Sequence, residues 1–202
     1  MRRKTGSICI VFGAAFILAA LCLFVWNWNE NRKAGEAITE ILPQVTDEIE
    51  RAMQNAADIP DPYGPEMTET QIDGYSYIGK LSVPALNLEL PVMADWSYPK
   101  LKVAPCRYYG STKTDDLVIA AHNYSYHFGM IKNLSPGDAV YFTDMDGVVS
   151  GYEVAEIDTL SPASVEEMTD SGFDLTLFTC TYGGQSRVTV RCERESRTWT
   201  EK

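Results

Sequence analysis

Apolar and polar positions follow three different patterns along the chain. From Ile8 to Trp26, 19 apolar or small residues run without a charge. As a helix, such a run is long enough to cross the ~30 Å hydrocarbon core of a bilayer. From Asn29 to Ala57 the chain is polar and rich in Glu and Ala, with Ala37, Ile38, Ile41, Leu42, Val45, Ile49 and Met53 at about helical spacing. This pattern predicts a helical stalk lifting a domain off the membrane, or a stripe that packs on the domain or a partner. Pro43 falls inside it and predicts a kink or a split. Asp58 to Gly74, with Pro60, Pro62, Gly64 and Pro65, reads as a linker.

Beyond Tyr75 the period becomes two. Tyr77 to Val83 alternates like a strand and stops at Pro84, and Leu86 to Val92 predicts a second strand. Trp96 to Gly110 is irregular. Asp116 to Ala121 is apolar enough for a buried strand and delivers His122 at its end. Phe128 to Leu134 allows one or two helical turns. Ala139 to Thr143 and Val148 to Leu160 flank Asp146-Gly147, a strong hairpin signal. Ser161 to Phe173 is a loop in which Val165-Glu166-Glu167-Met168 predicts a short helix. Leu175 to Thr179 and Arg187 to Cys192 are the last strands, joined by a turn through Gly183-Gly184. Seven or eight strands with few helices predict a mainly β fold, a closed seven- or eight-stranded β-barrel with short helices. The predicted organisation is 1–28 as basic tail and transmembrane anchor, 29–74 as stalk and linker, and 75–196 as the folded domain.

Charge narrows the partners. Arg2, Arg3 and Lys4 precede the apolar run, which orients the N-terminus toward the cytoplasm and the rest of the chain outside the cell. Trp26 and Trp28 suit the outer interface. A cleaved signal peptide is the competing reading, but its apolar core is usually ~7–15 residues and its cleavage site lies close behind. The first 28 residues hold 3 of the 17 basic residues and no acid, so 14 basic residues remain against 28 acidic ones. That acidic surface is a poor match for nucleic acid. Three cysteines, Cys106, Cys180 and Cys192, lie outside the apolar run; the odd number leaves a thiol unpaired within one chain, and a Cys106–Cys192 disulfide is open. No cysteine or histidine spacing suggests a metal site.

Candidate chemistry gathers around Thr176-Leu177-Phe178-Thr179-Cys180, the following turn, and Arg187. A cysteine at a strand end is a nucleophile if something deprotonates it. An arginine opening the next strand offers a permanent charge where an oxyanion develops. Arg191 and Arg194 are rivals, but strand alternation places Arg187, Thr189 and Arg191 on one face with only Arg187 at the Cys180 end. Of the two histidines, His122 ends an apolar strand, whereas His127 reads as a solvated loop side chain. Asn123 stands beside His122, to orient it or a substrate. Tyr124, Tyr126, Phe128 and Tyr182 read as packing residues, several of them edging a groove. The acidic pairs Asp115-Asp116 and Glu166-Glu167 read as solvated.

The TLFTC stretch, the arginine at the next strand start, the upstream strand ending in histidine, and the opening words IGKLSVPALNLELPVM together resemble the sortases, membrane-anchored cysteine transpeptidases of Gram-positive cell surfaces. The resemblance spans roughly Tyr75 to Glu193 and implies a sortase-like barrel. By position it implies Cys180 as nucleophile, His122 as acid and base, and Arg187 as the arginine of the site. It implies Thr179 beside the scissile carbonyl and a substrate-facing loop at Ser161–Phe173, where Val165 and Met168 could offer an apolar pocket. The implied partners are a sorting-motif peptide of a surface protein and an amine of peptidoglycan or a pilin, with no cofactor. A membrane-tethered cysteine peptidase and a non-catalytic binding barrel remain as alternatives.

Overall fold

The structure, a computed structural model, describes residues 2–55 and 66–195. Residues 58–65 of the predicted linker and residue 196 at the predicted domain end lie outside the described residues. Nine strands form the sheet: β1 (Thr70–Ile72), β2 (Tyr75–Val83), β3 (Leu88–Met93), β4 (Cys106–Tyr109), β5 (Leu117–Ala120), β6 (Ala139–Asp144), β7 (Val149–Leu160), β8 (Leu175–Cys180) and β9 (Arg187–Arg194). Their order is β1-β2-β3-β4-β5-β8-β9-β7-β6, and a further pairing of β2 with β6 closes the ring. Eight strands therefore form a closed barrel, and β1 extends one edge. Closure removes the open edges that an isolated sheet would present.

Closure depends on one position. The same edge of β2 pairs with β1 through Tyr75–Tyr77 and with β6 through Gly79–Ser82. The β2–β3 register shifts between Tyr77 and Gly79. Gly79 has φ +149°, and a Cβ there would sit 2.1 Å from the Thr143 carbonyl oxygen. Only glycine permits that approach of two backbones.

Alternation fills the interior. Leu81, Val83, Leu90, Val92, Leu117, Ile119, Phe142, Tyr152, Val154, Leu175, Leu177 and Val190 are buried in one core. The predicted hairpin at Asp146-Gly147 joins β6 to β7. The Asp144 carboxylate accepts from the Asp146 and Val148 amides, and Gly147 has φ +82°.

Four expectations are narrowed or corrected here. Of the two readings of 29–57, the stripe packed on the domain is the one the structure shows, on a helix, α1 (Arg2–Gln54), that runs through Pro43 without the predicted split. Its stripe of Ala34, Ile38, Ile41, Val45 and Ile49 is buried, the last four against the barrel core. Each of the larger side chains contributes roughly 1.5–3 kcal/mol by leaving water. Contacts on both sides of Pro43 thus outweigh the hydrogen bond the proline removes. The end of the predicted linker contributes β1, which was too short to alternate visibly. Trp96–Gly110 is not irregular throughout, since it holds a turn of helix α2 (Tyr98–Leu101) and β4. Asp115 is exposed as expected but pairs with Arg194 at 2.6 Å, and the half-buried Asp116 carboxylate accepts from the Ser111 amide at 3.0 Å.

The N-terminal half of α1 behaves differently. It contains a window of mean hydropathy 2.3, long and apolar enough to cross a membrane, none of which is buried against the rest of the protein.

Candidate active site

Three neighbouring strand ends set the geometry. β5 and β8 run parallel with Ala120 beside Phe178, and the Ala121 amide donates to the Phe178 carbonyl at 3.1 Å. Two residues further on, this register brings His122 level with Cys180. β8 and β9 are antiparallel, with Cys180 directly opposite Arg187. Adjacent strands lie about 4.8 Å apart, so His122, Cys180 and Arg187 form a row of one-strand steps across one mouth of the barrel. All three line one open groove of about 220 Å³.

Local bonds hold each member of the row. The Thr179 hydroxyl donates to the Ala121 carbonyl at 2.8 Å, tying the strand end before Cys180 to the residue before His122. Thr179 is buried and does not line the groove, so its hydroxyl is spent on alignment. The β8–β9 turn closes through the Thr181 amide, which donates to the Ser186 carbonyl at 2.9 Å. Gly183 and Gly184 turn it at positive φ. One terminal nitrogen of Arg187 donates to the Gly184 and Ser186 carbonyls at 3.2 and 3.1 Å, which orients the planar fork. The Phe128 amide closes the next loop by donating to the His122 carbonyl at 3.1 Å. His122 Nε2 is buried without a hydrogen-bond partner among the described residues. Burial, and then the Lys102 ammonium, lower the pKa of His122, so a neutral imidazole is favoured in the resting groove.

The groove has two walls. One is aromatic: Trp96 and Tyr108 stack at 5.5 Å, and Tyr108 meets Phe178 edge-on at 5.2 Å. The other is the β7–β8 connection, where helix α3 (Val165–Thr169) forms as the sequence predicts. Val165 is exposed, Met168 is buried, and both line the groove with Ser161, Pro162 and Ser164. Asn123 is half-buried and does not line the groove. Trp96, Tyr98 and Tyr108 were not singled out in the sequence. They come from two separate segments, and only the barrel brings them together. Tyr182, read as a packing residue, is 89% exposed.

The rival arginines are engaged elsewhere. Arg191 is 3% exposed, donates to the Thr176 hydroxyl at 3.2 Å and the Glu167 carbonyl at 2.7 Å, and faces Asp158 at 3.7 Å. It braces the loop that carries α3. Arg194 donates to Asp115, Ser150, Thr112 and Tyr152, sewing strands together at the opposite end of β9. His127 is corrected as well. It is fully buried, not solvated, and burial, followed by His122, lowers its pKa to about 4. Neither of its ring nitrogens completes a hydrogen bond among the described residues. Cys106 and Cys192 are separate buried thiols, each pushed up to about 12 chiefly by burial.

Comparison with known proteins gives the family and the fold. The chain is similar to the curated Sortase A of Bacillus anthracis, 26% identical over 163 residues that cover 78% of this chain and 77% of that one. It is similar in fold to the crystal structure of sortase C1 from Streptococcus suis, with TM-score 0.53, 26% identity, and coverage of 62% of this chain and 76% of the other. Sortase C of Streptococcus pneumoniae gives TM-score 0.56 at 24% identity, covering 80% of this chain and 97% of that one. The sequence model of the sortase domain matches residues 81–195, from near the end of β2 to just past the end of β9, a span that includes His122, Cys180 and Arg187. On a match over more than half of its length, this chain belongs to the sortase family.

Proposed function

We propose that this protein is a membrane-anchored cysteine transpeptidase. It cleaves a sorting motif in a surface protein and transfers the acyl group to an amine of the cell wall or of a pilin. The observation that carries this reading is the row of His122, Cys180 and Arg187 on three adjacent strand ends, opening into one groove.

The steps follow from the three groups. Neutral His122 takes the Cys180 proton, and the thiolate attacks the scissile carbonyl carbon to form a C–S bond. Negative charge develops on the carbonyl oxygen, and the Arg187 guanidinium meets it with fixed donors. The C–N bond breaks as the His122 imidazolium protonates the leaving amine. The thioester left on Cys180 keeps the acyl group activated, so no nucleotide is needed. A second amine attacks it, gives its proton to His122, and the thiolate leaves as a new amide forms. Water in the same position would give hydrolysis, so the aromatic wall of Trp96, Tyr108 and Phe178 favours transfer by limiting water beside the thioester.

Substrate side chains would meet Val165 and Met168 on α3, with Asn123 at the rim beyond His122. Thr179 acts on alignment. Residues 1–28 serve as tail and anchor, with the N-terminus in the cytoplasm and the barrel outside, on the strength of Arg2, Arg3 and Lys4 preceding the apolar run. A library of short motif peptides incubated with the full chain and assorted amines tests the reading. Product that requires an added amine is expected. Equal product without amine would make the protein a peptidase, and no cleavage of any peptide would leave the transpeptidase reading without support.

A further inference from the structure

The loop that follows His122 is gripped by the helix that leaves the membrane-spanning segment. Asn31 lies one turn beyond Trp28 on α1. Its side-chain oxygen accepts from the Ser125 amide at 2.8 Å and from the Ser125 hydroxyl at 3.0 Å, across 94 residues of sequence. One turn further, Gly35 is buried under the ring of Tyr126, and a Cβ there would meet ring carbons at 2.9 Å. Asn31 and Gly35 are four apart and so share one face of the helix, the same face that continues into the buried Ile38. On the neighbouring turn, Glu30 reaches Lys102, just past α2, at 3.7 Å.

Those contacts fall on a compact loop. The His127 and Gly129 amides both donate to the Tyr124 carbonyl, and the Phe128 amide donates to the His122 carbonyl. The Tyr124 ring lies between His122 at 5.0 Å and His127 at 5.5 Å, centroid to centroid. A shift of Ser125 or Tyr126 is therefore passed to the His122 ring through a closed backbone loop and a stack of three rings. Neither Asn31 nor Gly35 lines the groove.

We propose that Asn31 and Gly35 form a clamp that positions His122, making the first two helical turns outside the membrane a working part of the active site. The inference rests on the reading of His122 as the acid and base. Asn31 is then a positioning residue that acts through Ser125. Asparagine suits the task, because one carbonyl oxygen receives both donors of an exposed loop residue. Glycine suits the next turn, because the Tyr126 ring occupies the space of a side chain.

The test uses the full chain in detergent micelles, with Asn31→Ala, Asn31→Asp and Gly35→Leu. Hydrogen exchange at the Ser125, His127, Phe128 and Gly129 amides is followed without substrate, and peptide cleavage kinetics are measured alongside. Asn31→Ala and Gly35→Leu should speed exchange in this loop while the β8 and β9 amides stay protected. Both should lower kcat by ~10-fold or more at nearly unchanged KM, since a small misplacement of a catalytic group costs rate. Asn31→Asp keeps an oxygen acceptor for both donors and should restore exchange and kcat. Unchanged exchange in Asn31→Ala overturns the clamp. Faster exchange with an unchanged kcat overturns its link to His122. A wild-type chain that cleaves nothing would refute the transpeptidase reading, while the exchange arm still decides the clamp.

Discussion

The groove row has a buried counterpart made of the same three side-chain types. In the groove stand His122, Cys180 and Arg187; buried elsewhere in the barrel are His127, Cys192 and Arg191, each 3% exposed or less. Arg187 and Arg191 even share a face of one strand. What separates the sets is cover and partners. Arg191 is closed over by the α3 loop and its donors are committed to Glu167 and Thr176, whereas Arg187 opens on the groove opposite a thiol. Among the described residues, neither ring nitrogen of His127 completes a hydrogen bond and the side chain does not line the groove, whereas His122 lines it with an unpartnered Nε2. Residue type supplies a capacity for chemistry, and the strand-end position decides whether it is used.

Titration should separate the two histidines most strongly. The His127 pKa is depressed from 6.5 to about 4, so the unfolded chain binds a proton that the folded chain refuses between those values. Above pH 6.5 both forms are neutral and nothing is lost. As pH falls to 4 the folded state should lose about 3 kcal/mol on this account. His127→Phe removes the term, and at neutral pH it should be nearly neutral because it also removes two unpaired buried nitrogens. Urea unfolding of wild type and variant at pH 7 and pH 4 gives the difference; parallel curves would mean that His127 is hydrated or paired.

The arginines should diverge next. Arg187→Lys keeps the charge but loses the fork, and should lower the acylation rate by ~100-fold with little change in Tm. Arg191→Lys should do the reverse, costing about 2 kcal/mol of stability through its broken bonds while the rate per folded molecule holds. Stopped-flow acylation and thermal unfolding on both variants decide this, and exchanged outcomes would place the chemistry four residues further along β9. The smallest effect is expected on the α3 wall. Val165→Ser should change the relative kcat/KM of peptides that differ at one apolar position by about threefold to tenfold, the value of a methylene or two. An unchanged ranking would move motif reading to the rim near Asn123.

Local signals in the sequence were sufficient for the row. Cys180 and Arg187 are placed by a strand, a Gly-Gly turn and a second strand, all within one hairpin, and His122 by the apolar strand that ends at it. The barrel was legible because inward and outward positions alternate, and the β6–β7 hairpin because Asp146-Gly147 marks it. Features made by distant segments were not. The α1 stripe could face solvent, a partner or the barrel, and spacing alone does not choose among them. His127 sits in a polar stretch whose backbone folds it inward. The aromatic wall draws Trp96 and Tyr108 onto Phe178 from segments with no common pattern. Pro43 predicted a break because its local cost is readable, while the packing of Ile41 and Val45 that offsets it is not.

Mass spectrometry of the trapped intermediate tests the central claim most directly. The full chain is mixed briefly with a cleaved motif peptide, quenched in acid, and digested. The account predicts an acyl adduct on the peptide containing Cys180, absent from peptides containing Cys106 or Cys192 and absent in Cys180→Ala. It also predicts that adding an amine acceptor discharges the adduct into a new amide. Cleavage that proceeds in Cys180→Ala, or an adduct that forms on another side chain, would contradict it.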